Sequence, residues 1–116
     1  MTEHDCLFCK IVSGDVPATV VRESDRTLAF RDINPQAPTH VLVIPKAHYA
    51  TAAELAAADG GLLAEVVREA HEVAVGDGVA ESGYRVVFNT GPGAGQTVFH
   101  MHAHVLGGRG LNWPPG

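Results

Sequence analysis

Three histidines alternate with apolar residues in one short stretch near the end of the chain, TVFHMHAHVLGG at residues 97–108. Side chains of a β-strand point alternately to its two faces, so this spacing places His100, His102 and His104 on one face of a predicted strand. Apolar residues on the other face can join a core. Three imidazoles in a row would need hydrogen-bond partners for all their ring nitrogens, so the pattern indicates a functional site rather than packing.

Length and composition limit the classes of protein to which the chain can belong. The 116 residues, 46% of them hydrophobic, predict one domain over residues 1–116 with a true core. The net charge of −5, with scattered lysines and arginines, argues against nucleic-acid binding. Neither a signal-peptide pattern nor the roughly 18 apolar residues of a membrane helix is found, so we expect a cytoplasmic protein that does not bind membranes.

Short β-type runs alternate with two helical runs, which predicts an α+β domain with a mainly antiparallel sheet, one long helix and one short helix. The long helix is predicted over residues 61–75, where apolar residues recur at helical spacing before the sequence GDG. The short helix is predicted over residues 52–58. Strands are predicted at residues 18–24, 26–33, 39–45, 84–89 and 97–107, with a turn at Ser24 and Asp25.

A glycine-rich loop, NTGPGAGQT, runs directly into the histidine strand. Two functions fit a histidine row: a metal platform, or a histidine nucleophile assisted by other histidines. Glycines allow backbone N–H groups to approach an anion closely, although a simple hairpin connection would explain the loop equally well. Together with the hydroxyl of Thr97, the loop favours a phosphate held against the imidazoles.

The segment HMHAHVLGGR fits the histidine-triad pattern, and the chain resembles the histidine triad (HIT) superfamily, specifically its histidine-triad nucleotide-binding (HINT) branch. The resemblance covers nearly the whole chain. It is carried, in order, by CKIVSGDVPATVV, LAFRDINPQAPTHVLVIPKAH, YRVVFNTGPGAGQTVFHMHAHVLGGR and the ending WPPG.

The resemblance implies a HIT-like fold and a hydrolase that cleaves purine nucleoside phosphoramidates, of the adenosine 5'-monophosphoramidase type. His102 would be the nucleophile and would carry a transient nucleotidyl group that water removes. Imidazole suits this role because it is neutral and nucleophilic near its ordinary pKa of about 6.5. His104 would contact the phosphoryl oxygens or the leaving atom, and His100 and His40 would support it. No organic cofactor is implied.

The nucleotide itself is expected to bind purine, ribose and phosphate groups separately. By resemblance Asp32 accepts the ribose hydroxyls, although an aspartate before an Asn-Pro pair also fits a simple turn cap. The apolar residues of the purine slot could equally be ordinary core. The implied phosphate-binding residues are Asn89, Gly95, Gln96 and Thr97; the implied slot residues are Phe8, Ile11, Val16, Phe30 and Ile33, with Trp113 from the tail.

Cys6 and Cys9, in the sequence CLFCK, are the only cysteines. Their spacing suits a metal chelate or a reduced thiol pair; a thioredoxin-like role is less favoured because no helix signal follows Cys9. HIT members that hold a structural zinc provide two further ligands. By that resemblance, His48 and His100 complete a tetrahedral zinc site.

Quaternary structure and substrate leave several alternatives. The resemblance implies a homodimer in which the tail bearing Trp113 reaches the neighbouring subunit, whereas intrachain packing of the tail is the alternative. The alternative functions are a dinucleoside polyphosphate hydrolase, a purine nucleotide-binding module with little catalysis, and a metalloenzyme that uses all three triad histidines as ligands. His71, on the long helix, is expected to be a solvated residue without a role in the site.

Overall fold

The computed structural model describes residues 5–116. Over these residues, five antiparallel strands form one sheet in the order β1-β2-β3-β5-β4, so the last strand lies beside the central strand β3. The predicted hairpin, both predicted helices and the α+β class are confirmed. The strands are β1 (Val20–Glu23), β2 (Thr27–Arg31), β3 (Thr39–Pro45), β4 (Tyr84–Val87) and β5 (Ala103–Gly107); the helices are α1 (Leu7–Ser13), α2 (Ala52–Ala58) and α3 (Gly60–Gly76), with a 3₁₀ turn at Pro92–Ala94.

Helices α2 and α3 cover one face of the sheet. Odd-numbered residues of β3, such as Val41 and Val43, are fully buried against Leu62 and Val66 of α3. Asp59 begins α3, because its side chain accepts the N–H of Leu62. Burial of these aliphatic side chains forms the larger of two hydrophobic clusters and fixes which face of β3 remains for the histidines.

The opposite face of the sheet carries the second cluster and the candidate site. In the strand register Phe30 lies opposite Leu42, and Leu42 lies opposite His104, so these three side chains form a row across β2, β3 and β5. Helix α1 packs beside this row and contributes Phe8, whose ring meets that of Phe30 edge-on at 5.5 Å. The histidines therefore lie on the side of the sheet that α1 covers.

Helix α1 was not predicted, and the sequence analysis found no helix signal after Cys9. The structure shows that Cys6 is the residue before its first turn, with Sγ accepting the N–H of Cys9 at 3.4 Å. Gly14 ends the helix with a positive φ of 86°, a conformation that glycine adopts without strain. Phe8, Ile11 and Val12 have helical spacing, but a helix of only seven residues gives little periodicity to detect.

The predicted last strand is also too long. The sequence predicts a strand over residues 97–107, whereas β5 contains only Ala103–Gly107. The ladder with β3 stops at the pair of Val43 and Ala103, and beyond it the carbonyl oxygen of Pro45 accepts a hydrogen bond from the His100 ring. Met101 N–H donates to the carbonyl of Tyr49 at 2.6 Å, outside the sheet. His100 and His102 are therefore held by side-chain and loop contacts.

Within residues 5–116, none of the helices has both the length and the apolar composition needed to cross a membrane.

Candidate active site and metal centre

His100 lies at the closed end of the histidine row and is completely buried. Its Nε2 lies 2.7 Å from the carbonyl oxygen of Pro45, and a carbonyl can only accept, so Nε2 carries the proton. Nδ1 is therefore unprotonated, and it lies 3.4 Å from Sγ of Cys6 and 3.5 Å from Sγ of Cys9. This is the tautomer that binds a metal ion through Nδ1.

Four donor atoms surround that nitrogen. The ligand atoms of Cys6, Cys9, His48 and His100 all lie within 4.8 Å of one another, and Nδ1 of His48 is 3.3 Å from Sγ of Cys9. Tetrahedral zinc with bonds of about 2.0–2.3 Å requires ligand atoms separated by distances of this order. Two thiolates balance the charge of Zn²⁺, which suits a site with two buried ligands. The structure thus brings together the four predicted ligands in an arrangement that fits zinc.

His102 lies next along the row, and its orientation is fixed by the same segment. Its Nδ1 lies 2.8 Å from the carbonyl oxygen of His100, so Nδ1–H donates and Nε2 retains its lone pair. Burial lowers the pKa of His102, which keeps the ring neutral at physiological pH even though the His100 carbonyl and Asp32 oppose the shift. A neutral imidazole with an available Nε2 is the nucleophilic form.

His104 has the opposite tautomer, and His40 sets it. The backbone N–H of Gln36 donates to His40 Nδ1 at 3.0 Å, which leaves the proton of His40 on Nε2. That Nε2 lies 3.0 Å from Nδ1 of His104, so His40 donates and His104 accepts. Neutral His104 therefore carries its proton on Nε2, where it can donate to a ligand. His40 therefore sets the tautomer of His104 through this hydrogen bond, and its role in catalysis stays a prediction.

Electrostatics keep this end of the row neutral. Burial, followed by the neighbouring His102 and His40, lowers the pKa of His104 to about 4. Burial also lowers the pKa of His40, against the attraction of Asp32, whose Oδ2 lies 3.5 Å from His40 Nε2. At neutral pH the row therefore offers one nitrogen lone pair, on His102, beside one N–H donor, on His104.

Both of these histidines line a cleft of about 290 Å³ whose remaining walls are mostly apolar. One wall comes from α1, one from β2 and the loop after it, and one from the glycine-rich loop. Predicted residues that line it are Phe8, Ile11, Phe30, Asp32, Ile33, Gly95, Thr97, His102 and His104; those that sequence reasoning missed are Leu7, Pro17, Ala18, Arg31, Leu42 and Val98.

Two of the residues that were not predicted line the cleft because of features that the sequence does not define well: helix α1 and the strand register. Leu7 reaches the cleft because α1 exists, and Leu42 does so because the register places it opposite His104. The alternation of side chains along β3 could have indicated Leu42, since Leu42 shares a face of the strand with His40. Arg31 contributes to the rim, but its guanidinium is bound by both carboxylate oxygens of Asp77, at 2.6 and 2.9 Å.

Asp32 caps the turn after β2, as one of its two sequence interpretations predicts, and its role toward ribose stays a prediction. Its Oδ1 accepts the N–H of Asn34 at 2.8 Å, which is the turn-capping role. The same residue lines the cleft beside the histidines. The turn thus holds the carboxylate at the cleft, where hydroxyl groups of a ligand can donate to it.

The glycine-rich loop differs in detail from the prediction. Gly95 lines the cleft, but its N–H donates to the carbonyl of Pro92 at 3.0 Å and is already used within the loop. Gln96, predicted to bind nucleotide, has a side chain that is 3% exposed and bonded only to backbone groups in the described interactions. Thr97 is exposed at the cleft, as a phosphate-binding hydroxyl requires.

Four predicted nucleotide-binding residues do not line the cleft of the described chain: Gln96, Val16, Asn89 and Trp113. Val16 is half-buried just past the end of α1, and Pro17 and Ala18 occupy the wall instead. The Trp113 side chain is 83% exposed on the tail. His71, expected to be simply solvated, has Nδ1 2.8 Å from the hydroxyl of Tyr84.

Comparisons with known proteins agree with this site. The HIT domain family matches residues 13–111. A crystal structure of a HIT family hydrolase from Legionella pneumophila superimposes with a TM-score of 0.93 at 54% identity, covering 97% of this chain and all of the other. A 14 kDa zinc-binding protein from Zea mays is 48% identical over all of this chain and 91% of its own length.

A third relative carries an activity in its name. The adenylylsulfatase HINT1 of Arabidopsis thaliana is 46% identical over 99% of this chain and 79% of its own length. The family match, these identities and the three histidines with fixed tautomers lead to one conclusion, which confirms the resemblance found in the sequence: the chain belongs to the histidine triad (HIT) family.

Proposed function

We propose that the chain hydrolyses purine nucleoside 5'-phosphoramidates through a covalent nucleotidyl intermediate on His102. The observation that carries this proposal is the pair of opposite tautomers in one cleft. His102 offers a lone pair on Nε2, and His104 offers an N–H, on the same side of the sheet. Simple nucleotide binding would require donors for the phosphate, but it would not require an unprotonated imidazole nitrogen.

In the first step, Nε2 of His102 attacks phosphorus, a new P–N bond forms, and the bond from phosphorus to the leaving nitrogen breaks. The amine takes up one proton as it leaves. In the second step water attacks phosphorus, the bond to His102 breaks, and one proton is released, so the cycle is balanced. The Nδ1–H bond to the His100 carbonyl is kept throughout and stabilises the positive charge on the nucleotidylated ring.

His104 assists by donating a hydrogen bond from Nε2 to the phosphoryl oxygens or the leaving nitrogen. A donor placed in advance lowers the barrier because it does not have to reorganise as charge develops. His40 is a positioning residue, since it acts only through Nδ1 of His104. The hydroxyl of Thr97 provides a further donor at the phosphate.

The nucleoside occupies the rest of the cleft. The purine contacts the apolar wall formed by Phe8, Ile11 and Phe30, which suits a flat and largely apolar ring system. The ribose hydroxyls donate to Asp32, whose Oδ2 lies 3.5 Å from Nε2 of His40 and so faces the histidines. This order places the phosphate between the ribose site and His102.

We also propose that the Cys6–Cys9–His48–His100 cluster holds a structural zinc ion. The donor set, the buried position and the tautomer of His100 support this, as does similarity to a zinc-binding relative. When bound, zinc joins α1 to the catalytic segment and neutralises two thiolates. The site has four protein ligands, which is typical of structural zinc and leaves no open position for substrate.

A second candidate substrate is adenylyl sulfate, because a relative that is 46% identical is named an adenylylsulfatase. The same attack on phosphorus would release sulfate in place of an amine. Sulfate leaves without taking up a proton, whereas an amine needs one. The two substrates therefore share His102 and differ in their dependence on a proton donor.

A homodimer is proposed as the working unit. The tail is tied to edge strand β4, because Arg85 donates to the carbonyls of Leu111 and Asn112 at 3.2 and 3.0 Å. Just after these hydrogen-bonded residues, Trp113 is 83% exposed, which is more than is usual for a tryptophan in a complete oligomer. A neighbouring subunit would cover it.

The test of the enzymatic proposal compares wild type with His102→Ala. Phosphoramidate hydrolysis is expected to be lost almost completely, while AMP affinity measured by calorimetry stays within a few-fold, because the cleft walls remain. Hydrolysis that survives in the variant would contradict the nucleophilic role. A nucleotide-binding module would bind AMP normally in both proteins and hydrolyse the phosphoramidate in neither.

A further inference from the structure

Three consecutive residues, His48, Tyr49 and Ala50, contact three different parts of the site. The ring of His48 lies against Sγ of Cys9, on α1, at 3.3 Å. The carbonyl of Tyr49 accepts the N–H of Met101, which lies between His100 and His102. The carbonyl of Ala50 accepts Nε2–H of Gln96 at 2.8 Å. We call residues 48–50 the anchor segment.

Gln96 joins the anchor segment to the glycine-rich loop. Its Oε1 accepts the N–H of Gly91, at the start of the loop, at 2.8 Å. Its Nε2 donates to Ala50 and, at 3.2 Å, to the carbonyl of Val98. The side chain is 3% exposed, so these bonds are shielded from water and breaking them leaves buried polar groups without partners.

We propose that Gln96 is a positioning residue that couples the metal site to the phosphate-binding part of the cleft. Zinc fixes the anchor segment through His48, and Gln96 transmits that position to the loop bearing Gly95 and Thr97. This inference rests on the proposed nucleotide function. Binding at the two sites orders the same segment, so each ligand lowers the entropy cost of the other, and the coupling is reciprocal.

Gln96 couples zinc binding to phosphate binding. This coupling can be separated from a second one, between zinc binding and purine binding. Zinc also holds α1, which forms the apolar wall through Leu7, Phe8 and Ile11. That route affects any ligand with a purine ring, including adenosine. Only a ligand with a 5'-phosphate uses the loop that Gln96 holds, so the difference between AMP and adenosine isolates the effect of Gln96.

The experiment measures how well the zinc-loaded protein retains zinc against a chromophoric chelator, alone and with saturating adenosine or AMP. For wild type, we expect AMP to raise the apparent zinc affinity about fivefold more than adenosine does. In Gln96→Met, which has similar volume and cannot make these bonds, the two ligands are expected to protect zinc equally. Zinc retention without ligand should stay close to that of wild type.

Two further variants make the result specific. Gln96→Glu keeps the acceptor for Gly91 and loses the donor to Ala50, so it should also lose the extra protection by AMP. Ser82→Ala removes a side-chain bond to a backbone carbonyl in the loop before β4 and should behave as wild type. It thus controls for a general effect of losing one such bond.

The outcomes separate the two proposals. If AMP does not bind the zinc-loaded wild type in calorimetry, the proposed function and this inference both fail. If AMP binds but protects zinc no better than adenosine, only the inference fails. Retention of the extra protection in Gln96→Met or Gln96→Glu would likewise overturn the role assigned to Gln96.

Discussion

The two ends of the histidine row have opposite environments. At the closed end, His100 is fully buried, and both its nitrogens point at protein groups: the Pro45 carbonyl and the two thiols. At the open end, His104 lines the cleft, with one nitrogen bonded to His40 and the other available to a ligand. A histidine of this row has a structural role where protein groups contact both ring nitrogens. It can act on a ligand where one of the two nitrogens faces the cleft.

His102 stands between these environments and depends on both. His100, two residues before it, belongs to the metal cluster, and the His102 ring lies 4.9 Å, centroid to centroid, from that of His104. The carbonyl of His100 fixes its tautomer. The comparison therefore predicts that changes at the two ends affect different properties of the protein.

The largest effect is expected at the open end. His104→Ala removes the donor at the phosphoryl group and should lower kcat for an adenosine phosphoramidate by about 10²- to 10³-fold. Zinc content, measured by metal analysis of the purified protein, should remain one per chain. Loss of zinc in this variant would show that the two ends are not separate.

The closed end should respond in the reverse order. Cys6→Ser removes a fully buried ligand, so zinc content should fall close to zero. The expected loss of stability is about 3 kcal/mol, or roughly 10 °C in melting temperature, because structural zinc contributes to folding. Hydrolysis should fall about tenfold, less than in His104→Ala. An equal or greater loss of hydrolysis, with the fold intact, would contradict the separation of roles.

The pH dependence of stability sharpens the comparison, since His104 at the open end has a pKa lowered to about 4. The folded pKa of His104 lies below its unfolded value of about 6.5, so the folded chain binds fewer protons between those values. The stability due to its neutral ring is present above pH 6.5 and is lost as the pH falls toward about 4. Asp32, His40 and His102 face the ring: the charge of Asp32 raises the pKa of His104, and His102 and His40 lower it.

Urea unfolding of wild type and His104→Gln across this pH window measures that contribution. The variant should lose less stability on acidification than wild type does. Zinc release affects both proteins and cancels in the difference. Parallel curves for the two proteins would mean that His104 titrates normally.

The smallest effect is expected away from both ends. Arg22 pairs with Glu69 of α3 at 2.9 Å, but its side chain is 46% exposed and the pair is largely screened by water. Arg22→Ala should change the free energy of unfolding by about 0.5 kcal/mol or less. Neither zinc content nor hydrolysis should change. An effect on either would reveal a coupling that the contacts do not show.

Sequence periodicity was sufficient where packing is regular. The apolar run over residues 39–45 predicted a buried strand, and the apolar spacing from Leu62 to Ala74 predicted α3, because burial of one face imposes the period. The donor set of the metal site came from family resemblance, and the structure brings those four residues together.

Features that depend on individual side-chain bonds could not be read from the pattern. The strand predicted from residue 97 begins only at Ala103, and before it the His100 ring donates to the carbonyl of Pro45. Helix α1 is capped by Cys6, whose Sγ accepts the N–H of Cys9. Cysteine is not among the usual N-cap residues. Gln96 looked like a ligand contact and is a buried link between two loops.

His102, and not His100 or His104, is proposed to carry the covalent nucleotide. The most direct measurement mixes the enzyme with excess adenosine phosphoramidate, stops the reaction in base, where phosphorus–imidazole bonds survive, and maps the modified peptide by mass spectrometry. We expect one adenylyl group per chain, on His102, and none in His102→Ala. An adenylyl group on His104 or His100, or turnover with no adduct on the enzyme during the first cycle, would contradict it.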